Sequence, residues 1–200
     1  MNLILASASP RRAELLKQAG IPFSVEIPGI EEAIEKSVSP RGLVLKHACR
    51  KALAVSERCK EGYILSADTI VVHESEIMGK PADEKEARQM LSRLSGEKHE
   101  VFTGLALMNA STGMLETGAE VTSVWMKQLD ISHIEAYIAT GETFDKAGAY
   151  GIQGRAGLFI EKIEGCYTNV VGLPLGLLFD LISRMDVPIW LSRKDGDNAK

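Results

Sequence analysis

Met1-Asn2-Leu3-Ile4-Leu5-Ala6-Ser7-Ala8-Ser9-Pro10-Arg11-Arg12 reads as a buried strand, over 3–6, running straight into a helix. Ser9 stands at the N-cap and Pro10 at the first helical position, with Arg11 and Arg12 in the first turn. Helices favour acidic residues there, because the N-terminal end of the macrodipole is positive. Two arginines in that turn are locally unfavourable unless an anion shares the site. Backbone N–H groups, the Ser7 and Ser9 hydroxyls and two guanidinium forks then converge on one spot, the chemistry that holds phosphate. Taken alone, the segment also reads as an ordinary strand–helix turn whose arginines point into water.

Outward from this unit the chain stays mixed. The first helix covers about 10–19 and stops at Gly20, and a short strand is expected at 23–27. Ser39-Pro40 repeats the cap-then-proline start and opens a helix over roughly 40–58, with apolar Leu43, Leu45, Ala48, Ala52 and Val55. Residues 64–73 form a β-branched strand, and Glu74-Ser75-Glu76 a hairpin turn before Ile77-Met78. Asp83 and Glu86 make a capping box for a helix ending near Gly96. Two β segments, about 98–109 and 114–127, flank Ser111-Thr112-Gly113 and should pair as an antiparallel hairpin. Ser132 and Glu135 read as a further capping box for a helix ending at Gly141, followed by a strand over 158–163 and a last helix over about 174–185. The expected fold class is α/β, a twisted mixed sheet flanked by helices. One domain over 1–190 is expected, with a polar tail over 191–200.

The composition narrows the function classes. The chain has 200 residues, 45% hydrophobic and 25% charged, which suits an ordinary globular protein with a proper core. A net charge of −4 argues against a binder of nucleic-acid polymers, so positive charge for a ligand must be local. No apolar run reaches the length of a membrane span, and no basic region precedes an apolar stretch at the N-terminus. Cys49, Cys59 and Cys166 are an odd count without CxxC spacing, so a reduced, cytoplasmic protein is expected. His47, His73, His99 and His133 are scattered without ligand spacing and read as ordinary residues. Neither GxxxxGK[ST] nor GxGxxG follows the first strand.

Asp68 interrupts the apolar run 64–72, where a carboxylate is costly unless it is paired, hydrogen-bonded or metal-bound. Strand alternation puts Ser66, Asp68 and Ile70 on one face, and Ala67, Thr69 and Val71 on the other. Lys80, in Gly79-Lys80-Pro81, and Lys51, on the second helix, each read equally as exposed cations. Glu31 and Glu32 could supply oxygen ligands to Mg²⁺ or serve as surface charge. In Asp145-Lys146-Ala147-Gly148-Ala149-Tyr150-Gly151-Ile152-Gln153-Gly154-Arg155, the glycines permit close backbone approach to a ligand. The Gln153 amide offers both a donor and an acceptor, as reading a base edge requires.

These pieces, with Lys51-Ala52, Ala67-Asp68-Thr69, Leu94-Ser95-Gly96 and Val171-Gly172-Leu173-Pro174, occur in one order over about residues 3–185. Together they closely resemble the Maf family of nucleoside triphosphate pyrophosphatases, relatives of the inosine triphosphate pyrophosphatases. The resemblance implies two lobes around a central cleft, and a divalent-metal-dependent (Mg²⁺ or Mn²⁺) conversion of a nucleoside triphosphate to the monophosphate and pyrophosphate. It implies that Ser7, Ser9, Arg11, Arg12, Lys51 and Lys80 hold phosphates, and that Asp68 accepts the proton of the attacking water. Glu32 with Asp68 would bind the metal, and Arg11, Thr69 and Gln153 match positions tied to base selection. The Ala-Gly-Ala-Tyr-Gly-Ile-Gln-Gly form resembles the branch acting on dTTP and UTP, including some modified pyrimidines, rather than the 7-methyl-GTP branch. A homodimer is also implied. The alternative functions are a 7-methyl-GTP pyrophosphatase and, since the family name is attached to septum formation, a nucleotide-binding regulator of cell division.

Overall fold

The computed structural model describes residues 2–30, 33, 35 and 37–188. Glu31, Glu32 and the polar tail lie outside the described residues.

The opening strand and helix form as the sequence predicts: β1 spans Leu3–Ala6 and α1 Pro10–Gln18. Ser9 occupies the N-cap, but its side chain makes no capping bond. The Ser9 backbone N–H donates to the Ser7 hydroxyl at 3.1 Å. After the short β2 (Ser24–Val25) comes α2 (Pro40–Ser56), capped by Ser39, whose side chain accepts from Gly42 N–H. Then follow β3 (Tyr63–His73), β4 (Glu76–Met78), α3 (Glu84–Leu94), and the long hairpin of β5 (Lys98–Asn109) and β6 (Leu115–Met126). The Asp83–Glu86 capping box is present, with Glu86 N–H donating to Asp83 Oδ1 at 2.7 Å.

Three details of the second half differ from expectation. The next helix, α4 (Ile131–Ile138), starts at an Asp130 N-cap with Ser132 inside it, so the Ser132–Glu135 box does not form. Glu135 instead takes a bidentate pair from Arg88 of α3, a charged partner stronger than a local backbone N–H. Residues Arg155–Phe159 coil into a 3-10 turn, so β7 spans Ile160–Glu164. A one-turn helix, α5 (Tyr167–Val171), precedes the last helix, α6 (Leu175–Arg184); five residues are too few for periodicity to reveal.

The strands form one seven-stranded mixed sheet of order β2-β1-β3-β5-β6-β7, with β4 also on β3. β1 runs parallel to both β2 and β3, and the remaining pairs are antiparallel. On one face, β1, β3 and β5 pack Leu5, Leu65, Ala67 and Leu105 against Leu15 and Leu16 of α1 and Leu178, Leu181 and Ile182 of α6. Farther along the same face, Val71, Val101 and Val124 pack against Met90, Leu91 and Leu94 of α3 and Ile134, Tyr137 and Ile138 of α4. These two clusters are the expected lobes. The opposite face is covered by α2, whose Leu43, Val44, Ala48, Ala52 and Val55 meet Ile4, Ile64, Ile70 and Val72.

The register leaves an opening between the lobes. β1 covers one edge of β3 as far as Ala6↔Ser66, and β4 takes up that edge only at Val71↔Met78. β5 occupies the other edge throughout. Among the described residues, 67–70 of β3 therefore pair on one side only, where β1 ends and α1 begins.

Deep in the second lobe His99 contacts the Tyr150 hydroxyl through Nε2 at 2.6 Å. Burial, with His73 nearby, pushes the His99 pKa from 6.5 down to about 4. Between those values the unfolded chain binds a proton that the native protein does not, so stability falls as pH drops through this window. Across pH 7 to 4, urea denaturation should show His99 withdrawing about 3 kcal/mol of stability. His99→Gln should flatten that share of the slope; an unchanged slope would contradict the assignment.

Candidate active site

The Ser7–Arg12 corner closes over the opening in the sheet. Among the described residues, three acceptors orient Arg12: Nε donates to Gly172 O at 2.8 Å, Nη1 to Ser7 Oγ at 3.1 Å and Nη2 to Thr69 Oγ1 at 3.1 Å. The direction of the bonds continues inward. Thr69 Oγ1 lies 2.9 Å from Thr103 Oγ1, which donates in turn to Asn169 O at 3.1 Å. Thr69 thus steadies Arg12 from the floor of the cleft. Gly172 caps α5 at φ 115°, and a Cβ there would stand 3.3 Å from Thr69 Oγ1 and 3.6 Å from Arg12 Nε. The glycine in Val171-Gly172-Leu173-Pro174 therefore admits the guanidinium.

Asp68 lies on the α2 side of the same opening, and strand alternation sends it there as predicted. Its Oδ1 accepts from Lys51 Nζ at 2.7 Å, and Lys51 also donates to Ala67 O at 3.1 Å. Its Oδ2 lies 3.0 Å from His47 Nδ1. Both partners sit on the buried stripe of α2, and side-chain exposure of Lys51 and Asp68 is 5% and 4%. Burial works to raise the Asp68 pKa; Lys51, with Arg12 and His47 adding to it, overrides that and holds the carboxyl below its ordinary range. Asp68 is therefore an anion at neutral pH, a state that a buried carboxylate keeps only with cations beside it.

Ser9, Arg11, Arg12, Lys51, Asp68, Thr69, Lys80, Gly172 and Gln153 all line one cleft. Of the residues singled out in the sequence, Ser7 stands just behind the wall, buried and bonded to Arg12, and Glu32 lies outside the described residues. Arg11 crosses to the far lobe, with Nη1 on Asp145 Oδ2 at 2.6 Å and Nη2 on Asp145 O at 3.3 Å. Asp145 and Lys146 are joined at 2.5 Å, so the glycine-rich loop is anchored at the cleft mouth by a charge cluster. Asp145 carries no evident role in the sequence, and the bond from Arg11 supplies one.

His47 reads in the sequence as one of four ordinary histidines, whereas the structure sets it against Asp68. A signal was present: Leu43, Val44, Ala48, Ala52 and Val55 mark a buried helical stripe, and His47 and Lys51 interrupt it four residues apart. Residues at that spacing share one helix face, so a cation opposite Asp68 at position 51 implicates position 47.

Among the described residues, no group of three or more His, Cys, Asp or Glu gathers as a metal site. Asp68 accepts one bond at each oxygen, and an ionised carboxylate has about four lone-pair sites. A closed structural zinc centre does not fit that donor set. A Mg²⁺-type ion held by one or two carboxylates, waters and ligand phosphates does.

Similarity to known proteins agrees with this geometry. A dTTP/UTP pyrophosphatase of Desulforamulus reducens is 49% identical over 187 residues, covering 94% of this chain and 98% of that one. One of Symbiobacterium thermophilum is 50% identical over 189 residues, covering 94% and 96%. The Ham1 protein of Staphylococcus aureus matches in fold, with a TM-score of 0.52 at 11% identity, over 92% of this chain and 100% of that one. The family profile described as Maf-like protein matches residues 2–185, which takes in every cleft residue named above, and the chain belongs to the Maf family.

Proposed function

We propose that this chain hydrolyses nucleoside triphosphates, dTTP and UTP foremost, to the monophosphate and pyrophosphate by attack of water on the α-phosphorus. The observation that carries the reading is a carboxylate held ionised by Lys51 in the opening beneath the Arg12 corner. Modified pyrimidine nucleotides belong to the same substrate class.

Attack at the α-phosphorus builds negative charge on the non-bridging oxygens and on the departing pyrophosphate, so fixed cations favour the transition state over the ground state. Arg12, Lys51 and Lys80 supply that charge, and Ser9 with the N-terminal backbone of α1 adds donors. Asp68 takes the proton of the water as it attacks. Asp68, with Glu32 contributed by the acidic segment, would hold Mg²⁺ or Mn²⁺, which when bound neutralises charge on the phosphate oxygens. Arg11 and Gln153 read the base at the loop side of the cleft, with Gln153 supplying paired donor and acceptor, and Thr69 bears on base choice from the cleft floor, where it holds Arg12. The enzyme works as a cytoplasmic homodimer.

A panel of canonical and modified nucleoside triphosphates, assayed for pyrophosphate with Mg²⁺ or Mn²⁺, tests the assignment. dTTP and UTP should give the highest kcat/KM. A wide preference for 7-methyl-GTP would overturn the branch, and nucleotide binding without pyrophosphate release would point to a regulator.

A further inference from the structure

His47 is buried to 3% exposure, and each ring nitrogen faces an oxygen: Nδ1 lies 3.0 Å from Asp68 Oδ2, and Nε2 lies 3.1 Å from the carbonyl of Ala33. A carbonyl only accepts, so Nε2 carries a proton. The contact to Asp68 likewise holds a proton between its two atoms. The terminal torsion of an aspartate is soft and roughly two-fold. One anchor, Lys51 on Oδ1, therefore leaves the carboxylate plane free to swing, and a second anchor on Oδ2 fixes it. The same ring ties that plane to the chain at Ala33, the residue directly after Glu32.

We propose that His47 is a positioning residue for catalysis: it sets the orientation of the Asp68 carboxylate and anchors that orientation at the Ala33 carbonyl. The proposal rests on the pyrophosphatase reading. A histidine present only to fill the core would be served equally by any side chain of similar volume. A positioning histidine is served only by one that keeps the donor toward Asp68.

The two ring contacts can be separated. In His47→Asn the amide nitrogen stands where Nδ1 stands and keeps the bond to Asp68. In His47→Gln the amide nitrogen stands near Nε2 and keeps the bond to Ala33. His47→Leu keeps volume and neither bond. The three variants of the full chain are compared with wild type for kcat and KM in pyrophosphate release from dTTP with Mg²⁺. Thermal midpoints and Mn²⁺ binding without nucleotide, followed by electron paramagnetic resonance, are measured alongside.

Removing a hydrogen-bond partner of a ligating carboxylate typically costs about 10–100-fold in activity or metal affinity. His47→Leu and His47→Gln should lose about that much kcat with KM within about threefold, whereas His47→Asn recovers to within about fivefold of wild type. Mn²⁺ affinity should follow the same order. If His47→Leu does not fold, the ranking of Asn above Gln decides the matter. A kcat for His47→Leu within about twofold of wild type, or Asn no better than Gln at equal thermal midpoints, overturns the proposal while leaving the pyrophosphatase reading intact. A wild-type protein that releases no pyrophosphate from any nucleotide overturns that reading, and the proposal with it.

Discussion

Asp68→Asn is expected to lower pyrophosphate release by about 10²–10⁴-fold, the range that a positioned general base contributes. The amide is isosteric and still accepts from Lys51, so the variant should fold with an unchanged circular dichroism spectrum. It should not be neutral for stability. Lys51 has 5% side-chain exposure and would lose the anion 2.7 Å away. Breaking a buried ion pair by removing one partner costs about 3–5 kcal/mol. Here the Ala67 carbonyl still holds the ammonium, which puts the cost at about 3 kcal/mol and the fall in Tm at about 10 °C. Turnover measured well below that lowered midpoint isolates the chemical effect. Near-normal turnover there would remove Asp68 from the mechanism.

Gly104→Ala should be nearly as damaging although residue 104 faces no ligand. Gly104 stands opposite Asp68 across the β3–β5 ladder. A Cβ on it would meet the backbone of α2, 2.6 Å from the carbonyl carbon and oxygen of Val44 and 2.8 Å from Leu45 N. Backbone atoms cannot rotate aside, so α2 must lift from the sheet, carrying His47 and Lys51 with it. Overpacking of this kind costs about 1–3 kcal/mol, and a displacement of about 1 Å at a reacting geometry can cost about 10²-fold in rate. The expected result is a folded variant with a lowered Tm and kcat reduced by about two orders of magnitude. Full turnover in a folded Gly104→Ala protein would mean that the closeness of α2 to β3 does not matter to the site.

The parts of the site visible in the sequence are those that break a local rule. Arginines in the first turn of α1 and a carboxylate inside an apolar strand are each unfavourable alone, and the structure resolves both by bringing them to one opening. The mixed sheet flanked by helices also follows from the strand and helix pattern, whereas the two lobes came from the family resemblance. What stayed hidden depends on long-range pairing. Nothing near Asp145 announces that Arg11 lies across the cleft, because the contact spans two elements 134 positions apart. The opening itself arises from where β1 ends against β3 and where β4 begins, a matter of register rather than composition. Gly104 looks like a weak point within a strand until α2 is laid over it. His47 was legible in principle, since it interrupts a buried stripe, yet a lone histidine in a helix more often satisfies itself in the core. The Ser132–Glu135 pattern shows the opposite case, a local capping motif overridden by the stronger Arg88 fork.

Attack of water on the α-phosphorus is read out by hydrolysing dTTP in ¹⁸O-labelled water with Mg²⁺ and locating the label by mass spectrometry. The expected result is one labelled oxygen in the thymidine monophosphate, with unlabelled pyrophosphate as the only other product. Label in pyrophosphate, or release of orthophosphate with thymidine diphosphate, would contradict it.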